Sequence, residues 1–201
     1  MTSRNEILAK IRANKPASKV SAPTLVNHDE DYPSDVAELQ DRFAQALATM
    51  GGVWAQPRAG EEIQQTMRRF LADKLSKDSL IASNVSEING NRSVGSDDTP
   101  ASLHDIDIAV LRARFGIAET GSVCFTEQEL TVNAIAYLAQ HLVVLLDPLT
   151  IETNVMRAYR RKDYQNAKYT VFHSGPSATA DIEGVLVRGA QGVRSLTVIP
   201  V

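Results

Sequence analysis

Apolar and polar positions follow two rhythms along this chain, one of helical spacing and one of short continuous runs. Ser3-Arg4-Asn5-Glu6 has capping-box spacing, with Ile7, Leu8 and Ile11 striped behind it, which predicts a short amphipathic helix ending near Asn14. Pro16, Pro23 and Pro33 punctuate the weakly patterned stretch that follows, which reads as a linker. The first helix is then either an arm docked on the body or a partner subunit, or a frayed helix packed on its own domain. From Ser34 the pattern strengthens. Val36, Leu39, Phe43, Leu47 and Met50 recur at helical spacing, and Gly51-Gly52 ends that helix. Short strands are expected at 53–55, 79–82, 105–111, 121–126, 141–146, 169–172 and 195–199. Helices are expected at 61–75, 150–162 and 178–188, the last closed by Gly189, with 131–139 helical or irregular. Helix and strand alternate, so the expected fold is α/β, a layered sandwich with a mainly parallel sheet. The organisation is residues 1–33 as N-terminal helix and linker, and 34–201 as one α/β domain.

Composition narrows the function classes. The 201 residues are 43% apolar and 22% charged, the balance of a globular protein. Aromatics are 5%, so base stacking is not the main business of the chain. A net charge of −3 gives no global attraction to nucleic acid or to an acidic membrane. Leu142 to Leu146 is a continuous apolar run, far too short for a membrane span. Met1 to Asn14 has no apolar core of a secretory signal, so a cytoplasmic location is expected. Cys124 is the only cysteine, and one thiol cannot close an internal disulfide or hold an iron–sulfur cluster. No cofactor is therefore expected on this chain alone, and no metal site: His28, His104 and His173 lack ligand spacing.

Three segments could carry chemistry. In Phe115 to Ser122, Gly116 and Gly121 bracket Glu119 and Thr120, either a site with Glu119 as base or nucleophile or a tight turn with an exposed glutamate. The segment Ser174-Gly175-Pro176-Ser177-Ala178-Thr179-Ala180-Asp181 follows a strand and opens the expected helix. Free N–H groups there, with the hydroxyls of Ser174, Ser177 and Thr179, would bind a phosphate or carboxylate; otherwise the helix is simply well capped. The loop has no lysine, so it is not a P-loop. His141, at a strand entry, is either a proton shuttle or an edge histidine with one hydrogen bond. Arg157, Arg160, Arg161 and Lys162 suit the C-terminal dipole of a helix.

These residues resemble a known family. Gly116-Ile117-Ala118-Glu119-Thr120-Gly121, His141-Leu142-Val143-Val144 and, most specifically, Ser174 through Glu183 are similar to the LUD-domain proteins of the lactate utilization protein C (LutC, YkgG) group. Ser3 to Arg12 also looks like the start of that group. The resemblance implies a fold like the NagB/RpiA/CoA-transferase superfamily, a three-layer α/β sandwich. It implies a place in L-lactate oxidation to pyruvate beside two partner subunits that carry iron–sulfur clusters. The sequence departs from the group near its end, where Gln191 stands for a common histidine and Val193 for a common proline. Leu130 to Ala139 also lacks the group's arginines.

Three functions follow as expectations. The first is an accessory, cluster-free component of a lactate-oxidising system. The second is a stand-alone enzyme of the CoA-transferase or sugar-phosphate isomerase type, with Glu119 and His141 catalytic. The third is an anion-binding regulatory module using Thr120, Gly121, Ser174, Gly175, Ser177, Thr179 and Asp181. A small anionic ligand and a homo-oligomer are compatible with each of these, and no nucleic acid partner is expected.

Overall fold

The structure is a computed structural model that describes residues 3–16, 21, 31–180 and 184–201. Helix α1 (Ser3–Ala13) matches its expected span and buries none of its residues. Helix α2 (Val36–Thr49) begins where the Asp35 carboxylate accepts the N–H groups of Ala37 and Glu38, at 2.9 and 3.1 Å. Strand β1 (Val53–Trp54) follows, then α3 (Ile63–Phe70), started by a capping box between Glu62 and Gln65. Strands β2 (Ile81–Ser83) and β3 (Ile108–Arg112) flank the polar loop. Next come β4 (Phe115–Ile117), β5 (Ser122–Thr126), α4 (Glu127–Leu130), α5 (Ile135–Leu138) and β6 (His141–Leu146). The rest is β7 (Ile151–Glu152), α6 (Val155–Arg160), α7 (Lys162–Asn166), β8 (Thr170–His173), β9 (Ala178–Ala180), β10 (Leu186–Arg188) and β11 (Ser195–Pro200).

Five strands form a wholly parallel sheet in the order β1-β11-β6-β3-β2. Both its faces are covered, which is why β6 reads as an unbroken apolar run. Leu142, Val144, Leu146, Leu196 and Val198 face Phe43 and Leu47 of α2 together with Val123 and Phe125 of β5. Val143, Leu145, Ile108, Val110 and Ile199 face Met67 of α3 and Leu71 just past its end. Helices therefore lie on both sides of a mainly parallel sheet, as expected.

A second, four-stranded sheet, β7-β4-β5-β8, lies over the α2 face. The sequence reading expected one mainly parallel sheet and did not separate these strands from it. Its outer surface packs Phe115, Ile117 and Cys124 against Ala158, with Tyr164 and Phe172 stacked at 5.7 Å between ring centres. Two expected helices also change. Thr150–Lys162 is cut by Asn154, whose side chain accepts the Arg157 N–H at 2.9 Å, so helix begins only at Val155. The expected 178–188 helix is not formed by the described residues 178–180 and 186–188, which pair as antiparallel strands β9 and β10.

The polar loop 84–104 covers the open edge of the parallel sheet. The Asn91 side chain accepts the Ile81 N–H at 2.7 Å and donates to the Ser79 carbonyl at 2.9 Å, occupying groups that an exposed edge strand would present. Arg92 and Asp98 brace the loop at 2.9 Å.

Candidate functional site

The turn from β4 to β5 and the segment after β8 meet side by side. Because β5 and β8 are antiparallel, with Val123 opposite His173, Ser122 and Ser174 fall next to each other. Their hydroxyls are hydrogen-bonded, and Thr120 joins Ser122 at 2.5 Å, giving a chain of three hydroxyls with Ser122 buried at its centre. Two glycines allow the close approach. Gly121 has φ 60°, and a Cβ there would lie 2.1 Å from the Leu47 nitrogen of α2. Gly175 has φ 86°, and a Cβ would lie 2.4 Å from the Met50 carbonyl oxygen.

Beyond Ser174 is a cavity of 250 Å³, lined in part by Tyr137, His173, Ser174, Ser177, Gln191 and Gly192. The loops that lead into β6 and β11 form its wall, so it sits at the amino ends of those strands. Ser177 is fixed there by its N–H on the Val193 carbonyl at 2.8 Å and its carbonyl accepting the Gly189 N–H at 2.7 Å. Gly192 packs against Ser177, so the departures Gln191 and Val193 fall in this wall.

His173 is the distinctive group. Its ring stands edge-on to Phe125 at 5.7 Å and tilted to Tyr137 at 5.0 Å. Its Nε2 is buried without a hydrogen-bond partner, and burial lowers its pKa to about 4, so the imidazole is neutral near pH 7. Tyr137 bonds the Tyr169 hydroxyl at 2.6 Å, and burial, followed by that contact, raises its pKa.

The expected residues separate into groups. Ser174, Gly175 and Ser177 line the cavity, and Thr120 reaches it through Ser122. Thr179 lies on the exposed hairpin. Asp181 lies outside the described residues. The helix amino terminus that motivated anion binding is absent, because the chain leaves Ser177 as a strand; the lining carries no charged side chain.

Glu119 is exposed and does not line the cavity. Its carboxylate accepts the Val155 N–H at 2.9 Å, at the start of α6, and hydrogen-bonds the Tyr32 hydroxyl. The Arg42 guanidinium lies 4.2 Å over the Tyr32 ring. His141 is on the opposite face of the parallel sheet. Alternation along β6 places it with Val143 and Leu145 toward α3, where Nδ1 meets the Ser195 hydroxyl at 2.8 Å. Burial, with Lys74 and Arg194 nearby, lowers its pKa. The structure thus does not bring Glu119 and His141 together. The sequence reading did not count Ser122, Tyr137 or His173 among the site residues; the signal available for His173 was its position directly before the Ser174 segment.

Among the described residues, no group of three or more His, Cys, Asp or Glu is placed to hold a metal ion. Cys124 is buried, and desolvation pushes its thiol up to about 12, so it does not suit a metal-binding thiolate. No helix among them is long and apolar enough to cross a membrane.

Comparison with known proteins agrees with this architecture. There is no match among curated proteins. A crystal structure of a DUF162 family protein from Deinococcus radiodurans superposes with a TM-score of 0.59 at 14% identity, covering 84% of this chain and 99% of that one; the likeness is one of fold. Residues 55–201 match the LUD domain, a span that holds β2 to β11 and the whole cavity wall and leaves β1 outside. The chain belongs to the LUD-domain family.

Proposed function

We propose that this chain is a LutC-like accessory component of an L-lactate utilization system, acting beside partner subunits that carry the iron–sulfur clusters. The observation that carries the reading is the LUD domain match over residues 55–201. The donor set agrees with it: one buried thiol with a raised pKa cannot hold a cluster, and in this reading the electrons from lactate pass through the partner chains. The chain's own contribution is a small-ligand cavity with a neutral imidazole and a serine-bearing wall. Cavities with a few convergent polar groups are where small ligands bind. The stand-alone enzyme reading needs Glu119 beside a ligand cavity, whereas its carboxylate is bonded to Val155 and Tyr32.

Co-expression with the two cluster-bearing proteins of the same system tests the proposal. The chain is expected to co-elute with them in size-exclusion chromatography as one complex. Elution of all three separately, at concentrations well above micromolar, contradicts it.

A further inference from the structure

A groove opens on the α3 face of the parallel sheet, between α3 with the turn that follows it and the loop that covers the β2 edge. It has a volume of 730 Å³ and shares no residue with the cavity beside His173. Burial orders its lining. Met67 is buried and Leu75 and Ile81 are half-buried against the core cluster beneath α3, so they form an apolar floor. Arg68 and Lys77 are exposed and form the rim.

The edge strand beside the groove is already closed. A Cβ at Gly90 would lie 2.7 Å from the Ile81 carbonyl oxygen, so glycine lets the loop press its backbone onto β2. That carbonyl accepts the N–H groups of Asn91 and Arg92 at 2.9 and 3.1 Å, and the Ile81 N–H is held by the Asn91 side chain. An occupant of the groove is therefore held by side chains, not by adding a strand to the sheet.

Charge says what kind of occupant fits. The lining carries two cations and no carboxylate. Neither Arg68 nor Lys77 has a hydrogen bond or ion pair among the described residues. The neighbouring acids are committed elsewhere, Glu61 to Arg69 at 2.6 Å and Asp73 to Lys74 at 2.9 Å, and Asp78 lies outside the lining. The last turn of α3 suits a cation such as Arg68 through the helix dipole, but that leaves its N–H groups unpaired. Two unpaired cations above an apolar floor complement an amphipathic anion. The amides narrow this further. Asn89 donates to the Gln64 side-chain oxygen at 3.3 Å, which leaves the Gln64 N–H groups and the Asn89 oxygen unused. A donor and an acceptor side by side are the complement of a peptide group.

We propose that this groove binds an acidic, extended peptide segment of a partner protein, with carboxylates on Arg68 and Lys77, an apolar side chain on the floor and a backbone amide on Gln64 and Asn89. Fluorescence polarisation of the full chain with a short labelled peptide of alternating glutamate and leucine tests it. The peptide binds saturably, and added salt weakens the binding. Peptides with lysine for glutamate, or serine for leucine, do not bind. Arg68→Glu and Lys77→Glu each weaken binding by about tenfold or more; both side chains are exposed and unpaired, so these variants fold. Lys162→Glu, the same change of charge on an exposed lysine outside the groove, leaves the affinity unchanged. Binding of octanoate but not of the peptide identifies a small amphipathic anion as the occupant and overturns the proposal. So does no binding of either, equal binding of the lysine or serine peptide, an unaffected Arg68→Glu variant, or an equal loss in Lys162→Glu.

Discussion

At His173, burial without a partner fixes the charge state. The folded ring has a pKa of about 4, below its ordinary value of 6.5. A depressed histidine pKa means that the unfolded chain binds the proton first. The contribution to stability is therefore complete above about pH 6.5 and is lost as pH falls toward about 4, amounting to about 3 kcal/mol over that window. His173→Phe keeps the ring packing against Phe125 and Tyr137 and removes the titration. Urea unfolding at pH 7 and pH 5 checks this: the wild type loses stability over that interval and the variant loses clearly less. Ser122 is the other residue whose environment dictates its role. Its hydroxyl is buried between Thr120 and Ser174, so Ser122→Ala strands two partners and costs about 1–2 kcal/mol, read as a lowered urea midpoint. Neither role was legible from spacing. His173 has no sequence partner at a recognisable interval, and Ser122 meets Ser174 only because β5 and β8 are adjacent and antiparallel.

Among the elements, those whose boundaries are set by local chemistry were legible and those set by tertiary pairing were not. Asp35 and Gly51 delimit α2, and the continuous run of β6 marks a strand covered on both faces. The hairpin β9-β10 was misread because Ser177, Thr179 and Gly189 serve two purposes. They suit a helix cap, but Thr179, Val185 and Val187 are also strand formers, and Gly184 and Gly189, with φ 74° and 73°, mark turns at the two ends of β10. The anion site drawn from that helix fell with it, while Ser174, Gly175 and Ser177 still line the cavity. In α6 the decisive residue is Asn154, 4% exposed, whose side chain caps the helix by accepting the Arg157 N–H. Asn154→Ala is expected to lower stability by about 1 kcal/mol, measured as a shift in thermal midpoint with unchanged secondary-structure content. Gly121→Ala at the β4–β5 turn is expected to cost more, because the added methyl group meets the backbone of α2 and the backbone angle is unfavourable.

For the whole molecule, the meeting of the two sheets leaves the cavity beside His173 where the chain enters the parallel sheet, at the amino ends of β6 and β11. The sequence pointed to α/β layering with a mainly parallel sheet and to the LUD family. It did not reveal the second sheet, because β4 and β7 are only three and two residues long and lie beside turns. The proposed function is a division of labour, in which this chain, with its one buried thiol, supplies ligand binding and partner subunits supply electron transfer. The direct measurement is lactate-dependent reduction of an artificial electron acceptor by the purified cluster-bearing partners, with and without this chain. The account predicts full turnover only when the chain is present and no turnover by the chain alone. Equal rates without it, or lactate oxidation by the isolated chain, would contradict the account.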